Sequence, residues 1–276
     1  MKKAFYILSF LCCQYAVNAQ KMPSDYFEEA GRFYENKELD KALTAYQYIV
    51  DHYPKNELYP RCFFNVGYLY CSLHNFEKAI AVFSVILNEN FNEHESLGGD
   101  IMADPYANYR HRASEMLSSI YYEEKKYDSA LYYFALSDTA YPYLFDCGNA
   151  RAADEVHKGL RYANIYQKLK QPDQAIQKLL PAVFITLYDN TGILQELKKL
   201  LKGKADLKRK LDDSLKNIYV KRVGGYGDYY DWYYFKFLET EIGIPMHYGV
   251  DDKKFDKQKT VDKIRQTDFY AMIKKL

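Results

Sequence analysis

Tryptophan occurs once in these 276 residues, proline eight times and glycine thirteen times. That is too little of the turn-forming pair for a collagen-like or low-complexity chain. Charge of one sign is also missing. The 38 basic and 37 acidic residues leave a net charge of +1, so no bulk field draws the chain to nucleic acid or to an acidic membrane surface. Cysteine is scarce, with five in all, two of them (Cys12 and Cys13) inside an apolar N-terminal run. Cys62, Cys71 and Cys147 remain. Cys62 and Cys71 fall on one expected helix, about 13 Å apart along its axis and out of disulfide reach. At most one bridge can form, and buried thiols are the expectation.

Motifs that carry chemistry are absent too. None of the six histidines (52, 74, 94, 111, 157 and 247) stands in a metal-ligand spacing. The nearest cluster is Glu93, His94 and Glu95 with Asp100 and Asp104, where consecutive residues converge poorly on one ion. There is no nucleophile elbow and no Cys/His pairing. The glycines Gly224, Gly225 and Gly227 are not followed by Lys and Ser or Thr, which a phosphate-cradling loop requires. No catalytic residue, metal ligand or cofactor is expected, and an enzyme is not the reading.

What the chain has in excess is aromatic side chains, 17% of the total, with 30 Tyr and 16 Phe. Tyrosine pairs an apolar ring with a polar tip and suits half-buried helix seams and wet binding surfaces alike. The N-terminus is organised differently. Lys2 and Lys3 precede the apolar run 4–13, and Val17, Asn18 and Ala19 form a cleavage site, so residues 1–19 read as a signal peptide. The run is shorter than the ~20 residues that span a bilayer. Ser9, Phe10 and Leu11 before Cys12 lack the small-residue pattern that precedes a lipid-modified cysteine. The expectation is a chain exported to the periplasm or cell surface of a bacterium, with no integral membrane segment after cleavage.

From residue 22 a pattern repeats. An aromatic is followed nine positions later by alanine, with a small residue three before the aromatic and an acid two before the alanine. The quartets are Ala30/Phe33/Asp40/Ala42, Gly67/Tyr70/Glu77/Ala79, Ser118/Tyr121/Asp128/Ala130 and Ala163/Tyr166/Asp173/Ala175. Small residues let two helices of a pair approach closely, the aromatic fills the gap beside them, and the acid suits the first turn of the second helix. Phe63, Val66, Gly67, Tyr70, Ala79 and Phe83 stand in the order of a tetratricopeptide repeat, and the chain resembles that family over residues 22–187. The resemblance implies an all-α fold, a right-handed solenoid of about four helix pairs. Pro54 and Pro142 close the first and third pairs, and Pro181 should kink or shorten the second helix of the fourth. The alanine steps of 37, 51 and 45 residues exceed the usual ~34, which places the longest insertion at 88–106.

Three regions are expected: 1–19, a repeat domain over 20–189, and a C-terminal cap region over 190–276. In the last, 193–215 reads as a helix or helix pair broken near Gly203, with leucines 194, 197, 201, 207, 211 and 215 at helical spacing. Its basic run (Lys198, Lys199, Lys202, Lys204, Lys208, Arg209 and Lys210) reads as a solvated face. The segments 218–220 and 232–237 around the glycines read as a β-hairpin. Residues 257–276 read as one helix with Val261, Ile264, Phe269, Met272 and Ile273 in a stripe.

The resemblance also implies a function: protein–protein interaction, with a peptide or helix of unknown identity lying along the first helices of the pairs. By position the face comprises Phe27, Gly31, Tyr34, Arg61, Phe64 and Tyr68, then Arg112, Glu115, Ser119, Tyr122, Asn164 and Lys168. Phe27 and Gly31 stand where chaperone-binding relatives carry a carboxylate clamp, so that clamp is not expected. A second expectation is glycan binding by the C-terminal aromatics Tyr229, Tyr230, Trp232 and Tyr234, flanked by Tyr226 and Tyr233.

Overall fold

The computed structural model describes residues 21–97, 106–145, 147–225, 228–245, 250–251 and 254–276, without side chains for 224–230, 250–251 and 254. The fold is mostly helical, with twelve α-helices and a short antiparallel sheet among the described residues. It divides into two compact units, one ending at Asn75 and the other beginning at Phe76.

In the first unit, α1 (Pro23–Glu35), α2 (Leu39–His52) and α3 (Tyr59–Ser72) follow one another, with α2 packed on both neighbours. Pro23 opens α1, where its missing N–H is no loss, and Asp25 accepts the Met22 backbone N–H at 2.7 Å. Ala30, Ala42, Ile49 and Cys62 are wholly buried. Burial pushes the Cys62 thiol up to about 12, which makes it an inert packing group. Cys62, Cys71 and Cys147 are thiols, in no disulfide among the described residues.

The second unit holds α4 (Phe76–Asn88), α5 (Tyr109–Glu123), α6 (Tyr127–Thr139), α7 (Gly148–Lys168) and α8 (Pro172–Leu179). Pro181 ends α8 after eight residues and turns the chain into a single 3-10 turn, Leu180–Ala182. Then come α9 (Thr191–Leu201) and α10 (Leu207–Lys216), separated by Gly203 at φ +84°.

All eight small residues of the four quartets are buried: Ala30, Gly67, Ser118 and Ala163, and Ala42, Ala79, Ala130 and Ala175. Asp40, Glu77, Asp128 and Asp173 each sit in the first turn of their helix, beside its unpaired N–H groups. One feature of the turns has no signature in the quartets. Lys37, His74, Lys125 and Lys170, each four residues after the aromatic, adopt the left-handed conformation at φ 56–61°. The next residue's N–H then reaches back to the aromatic's carbonyl at 2.8 Å, as in Glu38 to Phe33, Asn75 to Tyr70, Lys126 to Tyr121 and Gln171 to Tyr166. This is a Schellman cap closing each first helix, made without glycine.

The 88–106 insertion is pinned where it is described. Glu93 accepts from Arg110 Nε at 2.7 Å, Glu95 accepts from the Tyr109 hydroxyl at 2.7 Å, and Ser96 bridges to Tyr106. Glu93 and Glu95 are therefore engaged in protein contacts, while Asp100 and Asp104 lie outside the described residues. No group of three metal-ligating side chains occurs among the described residues.

Beyond α10, one expectation is extended and one corrected. The expected hairpin is present as β1 (Tyr219–Gly225) and β2 (Asp228–Phe237), and β3 (Thr240–Ile244) extends it to a three-stranded antiparallel sheet. Gly224 and Gly225 pair within β1, opposite Tyr229 and Asp228, so the strands run further than the β-branched residues suggested. A two-residue pair, β4 (Val250–Asp251) and β5 (Lys254–Phe255), follows. The single helix expected over 257–276 is two, α11 (Lys257–Ile264) and α12 (Asp268–Lys275), because Thr267 stops the first and caps the second, accepting from Tyr270 N–H at 3.2 Å.

Phe235, Phe237, Ile242 and Ile244 on one face of the sheet join Phe184, the leucines of α9 and α10, and Ile264, Phe269 and Ile273 in one core. That core extends back to Val156, Ala163 and Ala175, so the sheet and the last four helices cover the end of the α7/α8 pair. The basic run of 198–210 is largely paired, with Lys199, Lys204, Lys208 and Arg209 bonded to Glu196, Asp173, Asp212 and Asp206. No helix among the described residues is long and apolar enough to cross a membrane.

Candidate functional site

Helical spacing puts the expected site residues on the first helix of each pair. In the first unit, Tyr34 on α1 and Tyr68 on α3 meet edge to face, with ring centroids 6.2 Å apart and hydroxyls 3.4 Å apart. Both are more than a third exposed, at 43% and 38%, which makes them the open aromatic pair of that face. Phe27 stands edge-on to Tyr46 on α2, with centroids 5.5 Å apart. Phe27, Gly31, Arg61 and Phe64 are half-buried.

In the second unit the face is polar and forms a ladder. Glu115 on α5 meets His157 on α7 at 3.6 Å, Ser119 accepts from Arg161 Nη2 at 3.3 Å, and the Tyr122 hydroxyl donates to the Asn164 side-chain oxygen. The Arg161 guanidinium lies 4.8 Å from the Tyr122 ring centroid, a cation–π contact. Glu115, Tyr122 and Asn164 were expected on this face; His157 and Arg161, two turns and one turn before Asn164 on α7, were missed. Their signal was in the sequence, since 157, 161, 164 and 168 share one helical stripe. Arg112 is half-buried and Lys168 exposed.

Glu115 has a second histidine. His111, almost fully buried, has Nδ1 3.0 Å from both the Ser137 and the Tyr141 carbonyl oxygens, so Nδ1 carries the proton. Its Nε2 lies 3.6 Å from Glu115. Burial pushes the Glu115 carboxyl up, but the His157 hydrogen bond and the charges of His111, His157 and Arg161 outweigh it and hold the group below its usual range. In return, the bond to Glu115 raises the His157 pKa.

The aromatic platform at the C-terminus is split by the pleat of the sheet. Trp232 and Tyr234 lie on the face opposite the core, joined by Tyr219, whose ring stacks on Tyr234 with centroids 6.2 Å apart. Lys221 and Glu241 pair beside them at 2.5 Å. Gly243 makes room for the two rings: a Cβ there would stand 2.9 Å from Trp232 Nε1 and 3.4 Å from Tyr234 Cε1. Tyr233 points to the other side and stacks on Phe255 at 4.0 Å. Tyr226 and the side chains of Tyr229 and Tyr230 lie outside the described residues. No protein-family model matches this chain, and no curated protein matches it.

Proposed function

We propose that this chain is an exported, tetratricopeptide-like scaffold that holds an extended peptide or a partner helix on the first helices of its helix pairs, and that it is not an enzyme. The observation that carries the reading is the α5/α7 ladder. Three successive side chains of α5 each meet the residue 42 positions later on α7, so the face is held rigid and presents aromatic, amide and charged groups together. Such a preorganised surface lowers the ordering cost of binding. The four glycine-free caps and the buried small residues support the repeat assignment, and residues 1–19 support export.

The test uses affinity capture from bacterial envelope extract, with the chain and its Tyr34→Ser/Tyr68→Ser variant as paired baits. Both rings are exposed, so the variant should melt at the native temperature while losing about 2 kcal/mol or more of partner affinity. Retention of no protein by the native chain, or equal retention by both baits, would overturn the first helices as the binding face.

A second reading is favoured by the outer face of the sheet, where Trp232, Tyr234 and Tyr219 gather beside a fixed Lys221–Glu241 pair, an arrangement suited to a sugar ring and its hydroxyls. Retention on a polysaccharide gel that disappears in Trp232→Ala would support it, and passage of the native chain through the gel would reject it.

A further inference from the structure

Arg161 is a half-buried cation with very little to bind. Its side chain stands on the Tyr122 ring and gives one hydrogen bond, to the neutral Ser119 hydroxyl at 3.3 Å. A guanidinium carries five N–H donors. Among the described residues no carboxylate comes within ion-pair distance of it, and the acid next to it on the ladder, Glu115, is held between His111 and His157 at 3.6 Å from each. Burial holds the Arg161 pKa below the usual guanidinium value, against the Tyr122 and Glu115 charges that raise it, so Glu115 compensates this cation only in part.

Other cations of the second unit are treated differently. Lys158, one turn away from Asp154 on α7, is bonded to both Asp138 and Asp154, at 3.1 and 2.9 Å. Arg110 is fastened to Glu93 at 2.7 Å. The Arg161 fork is held in place from below by a ring and from one side by a hydroxyl, and the face adds His157 and Lys168, with Glu115 and Asp154 the acids whose charges reach His157. A fixed planar fork matches the two oxygens of a carboxylate.

We propose that the α5/α7 face binds the side-chain carboxylates of an acidic peptide segment, with Arg161 as the anchor. The inference rests on the reading of the first helices as the binding face and adds the chemistry of the partner. Charge complementarity selects an acidic segment over an apolar helix, because the phenol ring of this face, Tyr122, is already engaged by Arg161 and Asn164. Tyr122 and Ser119 also act as positioning residues, since they aim the fork.

The experiment is fluorescence anisotropy with the full-length chain and three labelled peptides: hexaglutamate and hexaglutamine, both blocked at the two ends, and hexaglutamine with a free C-terminal carboxylate. Hexaglutamate should bind more tightly than either of the others. Arg161→Gln should weaken it about tenfold or more, and Arg161→Lys nearly as much, since lysine keeps the charge and loses the fork. Arg161→Lys also keeps the test open if the glutamine variant unfolds. Lys274→Gln, an exposed charge on α12, should leave binding unchanged. Equal weakening by Lys274→Gln, undiminished binding in Arg161→Gln, or preference for the peptide with the free terminus would each overturn the proposal. Hexaglutamine binding as well as hexaglutamate would overturn the acidic preference and leave the scaffold reading standing, since that reading fails only on the Tyr34/Tyr68 capture.

Discussion

Glu115 on α5 and His157 on α7 face each other at 3.6 Å, 42 residues apart, the same offset that joins Ser119 to Arg161 and Tyr122 to Asn164. One register therefore governs three contacts of different chemistry. Spacing in the sequence sets which positions meet, and the residue types at those positions make the meeting an ion pair, a hydrogen bond to a hydroxyl or a hydrogen bond to a side-chain amide oxygen.

The first of these contacts makes stability depend on pH in a stated direction. His157 has a raised pKa because Glu115 bonds to it, with the Glu115 and Asp154 charges helping and burial and Arg161 opposing. The folded chain holds this proton more tightly than the unfolded one. The contribution is fully present below about pH 6.5, the unfolded histidine value, and is lost as pH rises through the raised folded value. With the His157 side chain 65% exposed, screening keeps it below about 1 kcal/mol. Urea unfolding of the native chain and of His157→Gln should show a stability gap that is larger near pH 6 than near pH 8.5. A gap that does not change with pH would mean that the pair contributes nothing.

Ser118 occupies the small-residue position of its repeat, yet its hydroxyl is buried and has no hydrogen-bond partner, as is also true of Ser114 one turn before. The corresponding positions in the first and fourth quartets hold alanine, so Ser118→Ala should fit without strain. Removing an unsatisfied buried hydroxyl should stabilise the chain by about 1 kcal/mol. A denaturation midpoint that falls instead would reveal a partner for Ser118 in solution.

Lys125 carries φ +61° with a full side chain, and its N–H donates to the Tyr122 carbonyl at 3.0 Å. Glycine takes this conformation without the clash between Cβ and backbone. Lys125→Gly should stabilise by about 0.5–1 kcal/mol, and Lys125→Val, branched at Cβ, should destabilise. The opposite order in thermal melts would contradict the Schellman cap.

Gly243 sits under Trp232, the only tryptophan in the chain, so fluorescence reports on it alone. Gly243→Val would bring a carbon to 2.9 Å from the indole nitrogen and should drive the ring off the sheet into water, moving its emission to the red. Valine suits a strand, so the net change in stability should stay within about 1 kcal/mol. Unshifted emission would place the indole elsewhere.

The helical pairing was legible because it rests on single-residue constraints at fixed spacing. Small side chains stand at 30, 42, 118, 130, 163 and 175, and all of those positions are buried. The break at Gly203 and the shortening at Pro181 were legible for the same reason, since one residue's backbone decides each. Positions 257–276 were misread because the apolar stripe on α11 and α12 continues across Thr267, so the periodicity hides the cap between them. The third strand, Thr240–Ile244, was missed because five residues with only Ile242 and Ile244 facing inward carry almost no pattern.

The sequence by itself determined where helices start and stop and which stripe of each faces a neighbour, because backbone conformation and close packing act within a few residues. Tertiary structure alone decided that Glu115 is shared by two histidines, that Arg161 has a ring and a hydroxyl but no ion-paired carboxylate among the described residues, and that Gly243 lies beneath Trp232. Those are meetings between side chains far apart in the chain. Whether a charge is compensated depends on where its neighbours stand in space, and the order of residues does not encode that distance directly.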